Sequence, residues 1–228
     1  MSLEIYTAVF WVFAIVSTYL KDKASVGQKK VASLTTLVKV VPALSAVIFV
    51  ILFRLPTLFT ILLAVALVFC MFGDVGMEAD LIPGIGMYLI AHILYTTNFL
   101  WQTSTLGFDV LQTVIAAACM AVMVLYVFLL IRYLRASGPE VPPFILRAGT
   151  LYFLLVSATL STSLLLWLTS DSFFGFLPVF GAFIFIVSDS LIAINEFRRK
   201  ISHHEFYIMP TYYLAIYFLS IGVFVFAF

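Results

Sequence analysis

The sequence predicts an all-α, polytopic membrane helix bundle with eight transmembrane helices. Three observations carry that reading. Hydrophobic residues make up 64% of the 228 and charged residues only 10%, whereas soluble domains carry about 25% charged residues. The apolar residues fall into long runs, each near the roughly 20 residues that cross a bilayer as a helix. The breaks between runs hold the polar, proline and glycine residues that end helices.

The runs cover residues 3–20, 31–53, 57–78, 82–100, 109–134, 144–168, 175–197 and 206–227. Lys21 to Lys30 forms a polar first break, and Arg54-Leu55-Pro56 a short second one. Glu78 to Pro83 holds two acids and a proline, and Trp101 to Gly107 is polar and ends in glycine. Ser137-Gly138-Pro139-Glu140, followed by Pro142 and Pro143, is the strongest break in the chain. Thr169 to Ser172 and the charged Arg198 to Glu205 complete the set. No compositional shift and no tandem repeat divides the chain, so residues 1–228 read as one domain. The first run lacks a basic leader and a small-residue cleavage pattern and carries Glu4. It reads as a retained helix rather than a signal peptide.

Charge sets the expected orientation. With eight helices, alternate loops share a side. One side receives Lys21, Lys23, Lys29, Lys30, Arg132, Arg135, Arg147, Arg198, Arg199 and Lys200, and the other only Arg54. Cytoplasmic loops carry the excess of Lys and Arg, so both termini are expected on the non-cytoplasmic side. Trp101, Trp167, Tyr133 and Tyr152 fall near span ends, as interfacial aromatics do. A net charge of +1 without a basic tail points to no nucleic-acid partner. Cys70 and Cys119 both lie in apolar runs and read as free thiols.

Function is sought in polar groups that the bilayer penalises. Leu58 to Phe72 holds no charge, and then Asp74 follows within the hydrophobic length. A carboxylate at a helix centre costs about 2.5–3.5 kcal/mol on insertion scales, so it faces the protein interior and marks a site. Asp189 is in the same position in the seventh run. Counting at 1.5 Å per residue puts Lys39 and Asp189 about 12 Å and Asp74 about 6 Å from the basic ends of their helices, with His92 near the midplane. Tyr88, His92, Tyr95 and Phe99 share one helix face, and Ser188 stands beside Asp189. Folding is expected to bring Asp74 and Asp189 together and let them share one proton, because adjacent like charges cannot both ionise easily. An acid beside a carboxylate suits general acid–base chemistry on a lipid or other membrane-embedded substrate. Blander readings exist. Asp74 and Lys39 could form a structural salt bridge, His92 an interhelical hydrogen bond, and Tyr88, Tyr95, Tyr212 and Tyr213 packing contacts with satisfied hydroxyls. Glu78, Glu196, His203 and His204 fall at or beyond the interface, where solvation explains them. Asp109 and Asp171, near the opposite surface, need no role.

Several short pieces occur together: Lys39-x-x-Pro42, Phe72-Gly73-Asp74, Gly86 with His92 and Tyr95, Gly181-Ala182 with Phe185 and Ser188-Asp189, and Tyr212-Tyr213-x-Ala215. In order and spread they resemble the YhhN family of eight-helix membrane proteins, whose characterised members are lysoplasmalogenases. The chain departs from the family pattern at Ile216, where a Gln is usual, and that leaves room for a shifted substrate preference. The resemblance implies hydrolysis of the vinyl ether bond of a lysoplasmalogen to a fatty aldehyde and a glycerophospho-base. That chemistry needs one carboxylic acid and one carboxylate, a division of labour also found in glycosidases. Asp74 and Asp189 are therefore the expected catalytic pair, with Lys39, His92, Tyr95, Ser188 and Tyr213 as substrate-binding candidates. No metal and no cofactor is required, and no His/Cys/carboxylate cluster has ligand spacing. The partners implied are a lysophospholipid substrate and membrane lipid. The location implied is the endoplasmic reticulum membrane in a eukaryote or the inner membrane in a bacterium.

Two rival readings were weighed. An intramembrane aspartyl protease would carry Gly-x-Gly-Asp, but Met71 occupies the first glycine position, and Ser188 stands where a Tyr would precede the other Asp. A non-enzymatic transporter or lipid-binding protein would use the same buried charges as a substrate or proton relay. It lacks a convincing internal repeat to support it.

Overall fold

The computed structural model describes residues 1–25, 32–53, 56–136 and 141–227, the side chains of 32–34 excepted. Lys29, Lys30, Arg54, Leu55 and the Ser137–Glu140 break lie outside the described residues. The described chain is helical, without strands. Eight long helices follow one another: α1 (Leu3–Ser25), α2 (Ala32–Phe53), α3 (Leu58–Ala79), α4 (Leu81–Leu106), α5 (Val110–Arg135), α6 (Pro143–Thr169), α7 (Phe176–Phe197) and α8 (Glu205–Ile221). A 3-10 turn, Phe173–Gly175, precedes α7, and a last helical turn, α9 (Val223–Phe226), follows α8.

Local sequence explains the ends. Thr57 caps α3 by exchanging hydrogen bonds with Thr60, and Asp109 does the same for α5 with Gln112, the reciprocal capping box that satisfies two orphan amides. Asp109 thus has a structural role that its surface position did not suggest. The Glu78–Pro83 break shrinks to one extended residue, Asp80, and Pro83 is tolerated in the first turn of α4. At the tail, residues 206–227 form not one helix but α8 and α9, divided at Gly222.

Among the described residues, seven helical segments are long and apolar enough to cross a membrane: Leu3–Ser25, Thr35–Phe53, Leu58–Ala79, Val110–Arg135, Pro143–Thr169, Phe173–Phe197 and Glu205–Phe226. This is the pattern of a multi-pass membrane protein. The expected eighth, α4, has 26 residues, about 39 Å of helix, but is not among the seven. The reason lies in its polar residues. Tyr88, His92, Asn98 and Thr103 are all buried inside the bundle, where α4 packs between α3 and α6. A helix shielded by its neighbours need not be uniformly apolar.

Neighbouring helices run in alternating directions, and contacts at the two ends show it. At one end, Lys21 on α1 meets Glu78 on α3, and Arg198 after α7 lies over Tyr133 on α5. At the other, Tyr6 of α1 bonds Ser220 of α8, and Gln112 of α5 bonds the Leu168 carbonyl of α6. The α7–α8 seam depends on Gly181, where a Cβ would meet the backbone nitrogen of Leu219 at 2.9 Å and the Ala215 oxygen at 3.0 Å. Small residues permit such close approach of membrane helices.

Candidate active site

Asp74 sits one turn before the end of α3 and is fully buried. Its two carboxyl oxygens have separate donors: the Tyr88 hydroxyl of α4 reaches Oδ1 at 2.8 Å, and the Tyr212 hydroxyl of α8 reaches Oδ2 at 2.9 Å. Gly73 makes the first bond possible, because a Cβ there would stand 2.8 Å from the Tyr88 ring. The Phe72-Gly73-Asp74 piece is thus a local device: the glycine admits a ring from the next helix, and that ring holds the carboxylate. Gly73→Ala is expected to displace Tyr88 at a cost of about 1–3 kcal/mol. A lower melting temperature in detergent, with helix content unchanged, would show it.

The charges form a chain. Lys39 of α2 places its Nζ 3.7 Å from Asp74 Oδ1 and 3.2 Å from Glu78 Oε1, and donates to the Asp74 carbonyl at 3.4 Å. Lys21 closes on the other Glu78 oxygen at 2.6 Å. Two cations therefore balance two carboxylates across three helices. Glu78 belongs to this cluster rather than to a merely solvated interface.

Asp189 of α7 has a different environment. The Tyr152 hydroxyl of α6 donates to Oδ2 at 2.6 Å. Among the described residues Oδ1 has no hydrogen-bond partner, and no cation forms an ion pair with this carboxyl. Asp189 and Asp74 both border one cavity of about 370 Å³. This cavity opens among the ends of α1, α3, α4, α7 and α8, with Lys39 reaching in from α2 and with Lys21, Glu78, Tyr88 and Tyr212 also in its wall. The expected meeting of the two aspartates thus occurs as a shared cavity, not as a shared proton. No hydrogen bond joins them among the described residues: both Asp74 oxygens accept from tyrosines of other helices, and Asp189 accepts from Tyr152 at Oδ2.

Of the substrate-binding candidates, only Lys39 borders the cavity. His92 bonds Thr159 of α6 through Nδ1 at 3.0 Å, and Phe185 packs edge-on against its ring, at 4.6 Å between centroids. Phe185 also packs on Tyr88 and Tyr212. Tyr95 faces Cys70 at 3.7 Å, Ser188 donates to the Ile208 carbonyl, and Tyr213 donates to Ser17. All four make contacts between helices. Ile216 is fully buried and does not border the cavity, so the departure from the family pattern leaves the wall untouched.

The residues missed are the tyrosines and the outer charges. Tyr152 read as an interfacial aromatic but is buried on Asp189. Tyr88 and Tyr212 read as packing groups with satisfied hydroxyls, but the group that satisfies them is Asp74. The sequence signals were the helix face that Tyr88 shares with His92 and the Tyr212-Tyr213-x-Ala215 piece.

One comparison with known proteins identifies a relative group. Residues 34–223, most of the chain and nearly the whole wall of the cavity, match the model of the YhhN family. No curated protein and no solved structure matches.

Proposed function

Because the chain belongs to the YhhN family, we propose that its cavity hydrolyses the vinyl ether bond of a lysoplasmalogen, with Asp189 as the general acid. The observation that carries this reading is the contrast between the two aspartates. Asp74 has both oxygens capped and its charge balanced by Lys39. Asp189 borders the same space with an oxygen left over and no cation to offset a negative charge. A buried, unpaired carboxylate is costly, and a neutral acid is the form this environment accommodates.

The steps follow from the bond. Asp189 gives its proton to the alkenyl carbon remote from the ether oxygen, and a C–H bond forms. The double-bond electrons leave a cation shared between the other alkenyl carbon and the oxygen. The Asp74 charge, relayed through the Tyr88 and Tyr212 dipoles, stabilises it. Water adds to the cationic carbon and returns a proton to the Asp189 carboxylate. The resulting hemiacetal collapses: its carbon–oxygen bond to glycerol breaks, the leaving oxygen takes a proton from Asp189, the hemiacetal hydroxyl returns one to Asp189, and the aldehyde and a glycerol hydroxyl are released. One water is consumed, and the acid is regenerated.

We place α4 as the eighth transmembrane helix and the cavity end, which carries most of the described cations, on the cytoplasmic side. The termini then lie on the opposite side, in the endoplasmic reticulum membrane or a bacterial inner membrane. The phosphate of a lysolipid would lie against Lys21 and Lys39 at the cavity mouth.

The test is a substrate panel. Purified protein is offered lysoplasmalogen, the matching saturated ether and the acyl lysolipid. Cleavage is expected for the first alone. In D₂O, with the aldehyde trapped at once by a dehydrogenase, one deuterium is expected on the carbon next to the carbonyl. Binding of all three lipids without turnover would overturn the hydrolase reading in favour of a transport or lipid-binding protein.

A further inference from the structure

A second, narrower pocket of about 60 Å³ adjoins the first and differs from it in character. Its wall is apolar except for Asp189 and the Tyr88 and Tyr152 hydroxyl groups, and α3, α4, α6 and α7 supply it. The two pockets share Met77, Leu81, Tyr88, Asp189 and Ile192. Asp189 therefore stands where a polar chamber passes into an apolar groove. Ile85, Ile145 and Phe197 of the groove are only partly buried, so it reaches the surface that the bilayer would cover.

We infer that this groove takes the hydrocarbon chain of a single-chain lipid that enters sideways from the membrane, while its headgroup occupies the polar chamber. The inference rests on the functional reading only in taking the ligand to be a lysolipid. The chemistry of the junction supports the occupant: Asp189, with Oδ1 free of hydrogen-bond partners among the described residues, lies at the boundary where a headgroup ends and a chain begins. At about 60 Å³ the groove seats only the first methylenes of one chain, and the rest of that chain passes between Ile85, Ile145 and Phe197 into the bilayer. Two other apolar pockets, one beside Trp167 and Phe180 and one beside Trp11 and Phe206, have no carboxylate in their walls.

Gly149 gives a place to test the groove. It sits in the wall on α6, and a Cβ built there would meet nothing within 4 Å. A larger side chain at this position enters empty space and, being helical, costs the backbone nothing; glycine is the poorer helix former. Gly149→Trp is therefore a plug that leaves the fold intact. The probe is a saturated 1-O-alkyl lysophosphatidylcholine with a diazirine in its chain, which has no vinyl ether to cleave. Labelling is expected on Ile85, Ile145 or Phe197 and should be competed by the unlabelled lipid. In Gly149→Trp it should fall roughly tenfold, as overpacking of an occupied site implies. Phe173→Trp, at an exposed position of the pocket beside Trp167, should leave it unchanged. Labels on Trp167 and Phe180 or on Trp11 and Phe206, or labelling indifferent to Gly149→Trp, would overturn the inference. Because the probe is inert, groove labelling in a protein that cleaves no vinyl ether would sustain the groove and remove only the hydrolase reading.

Discussion

Asp189→Asn is expected to lower aldehyde release about 10²–10⁴-fold, the range that a positioned general acid supplies. The substitution is nearly isosteric. The Tyr152 hydroxyl, 2.6 Å from Oδ2, can donate to the amide oxygen as it does to the carboxyl. Folding should therefore survive, and a lysolipid should still bind, so the loss should fall on kcat rather than KM. A coupled dehydrogenase assay beside a binding measurement separates the two. Turnover within a few-fold of the parent protein would remove Asp189 from the role of acid. Asp74→Asn should also abolish release, but by a different route. It deletes the charge that balances Lys39 and stabilises the cation, without removing the proton donor.

Lys39→Met should be the most destabilising single change at the site, costing about 3–5 kcal/mol as expected when one partner of a buried ion pair is removed. The Lys39 ammonium is almost wholly enclosed and serves both Asp74 and Glu78. Without it Asp74 is a buried charge held only by two tyrosine hydroxyls. The prediction has an internal control. Adding Asp74→Asn to Lys39→Met removes the orphaned charge and should recover part of the loss. Melting in detergent reads both. A double variant no more stable than Lys39→Met would mean that the ammonium matters for packing and not for charge.

Much of this site could be read from the chain before it was folded, and the parts that could not have physical reasons. Asp74 and Asp189 stand out because a carboxylate inside an apolar run is costly in a bilayer and must find partners within the protein. Lys39 stands out for the same reason. Tyr88, Tyr152 and Tyr212 do not, since a tyrosine in a membrane helix is as well placed at an interface or in a packed core. Only the tertiary contact reveals which oxygen its hydroxyl meets. Glu78 and Lys21 sit near span ends, where sequence cannot tell a solvated charge from one folded over a cavity mouth. His92 left two readings open, a site group and an interhelical hydrogen bond, and the structure shows the second. Its depth suggested chemistry, but Thr159 on α6 engages the ring. The α4 helix shows the same ambiguity at larger scale, because the polar residues that lower its hydropathy are those that it buries.

The family match begins at residue 34, so the first helix stands outside it, and yet that helix is bolted to the site at several heights. Lys21 grips Glu78, Asp22 meets His203 at 3.0 Å, Ser17 accepts from Tyr213, and Tyr6 holds Ser220. A shortened form trimmed to the matched residues would lose the outer cation of the relay and the brace that keeps α8, and with it Tyr212, against α3. The leading segment therefore braces the cavity, and the boundary of the shared pattern is not the boundary of the folded site.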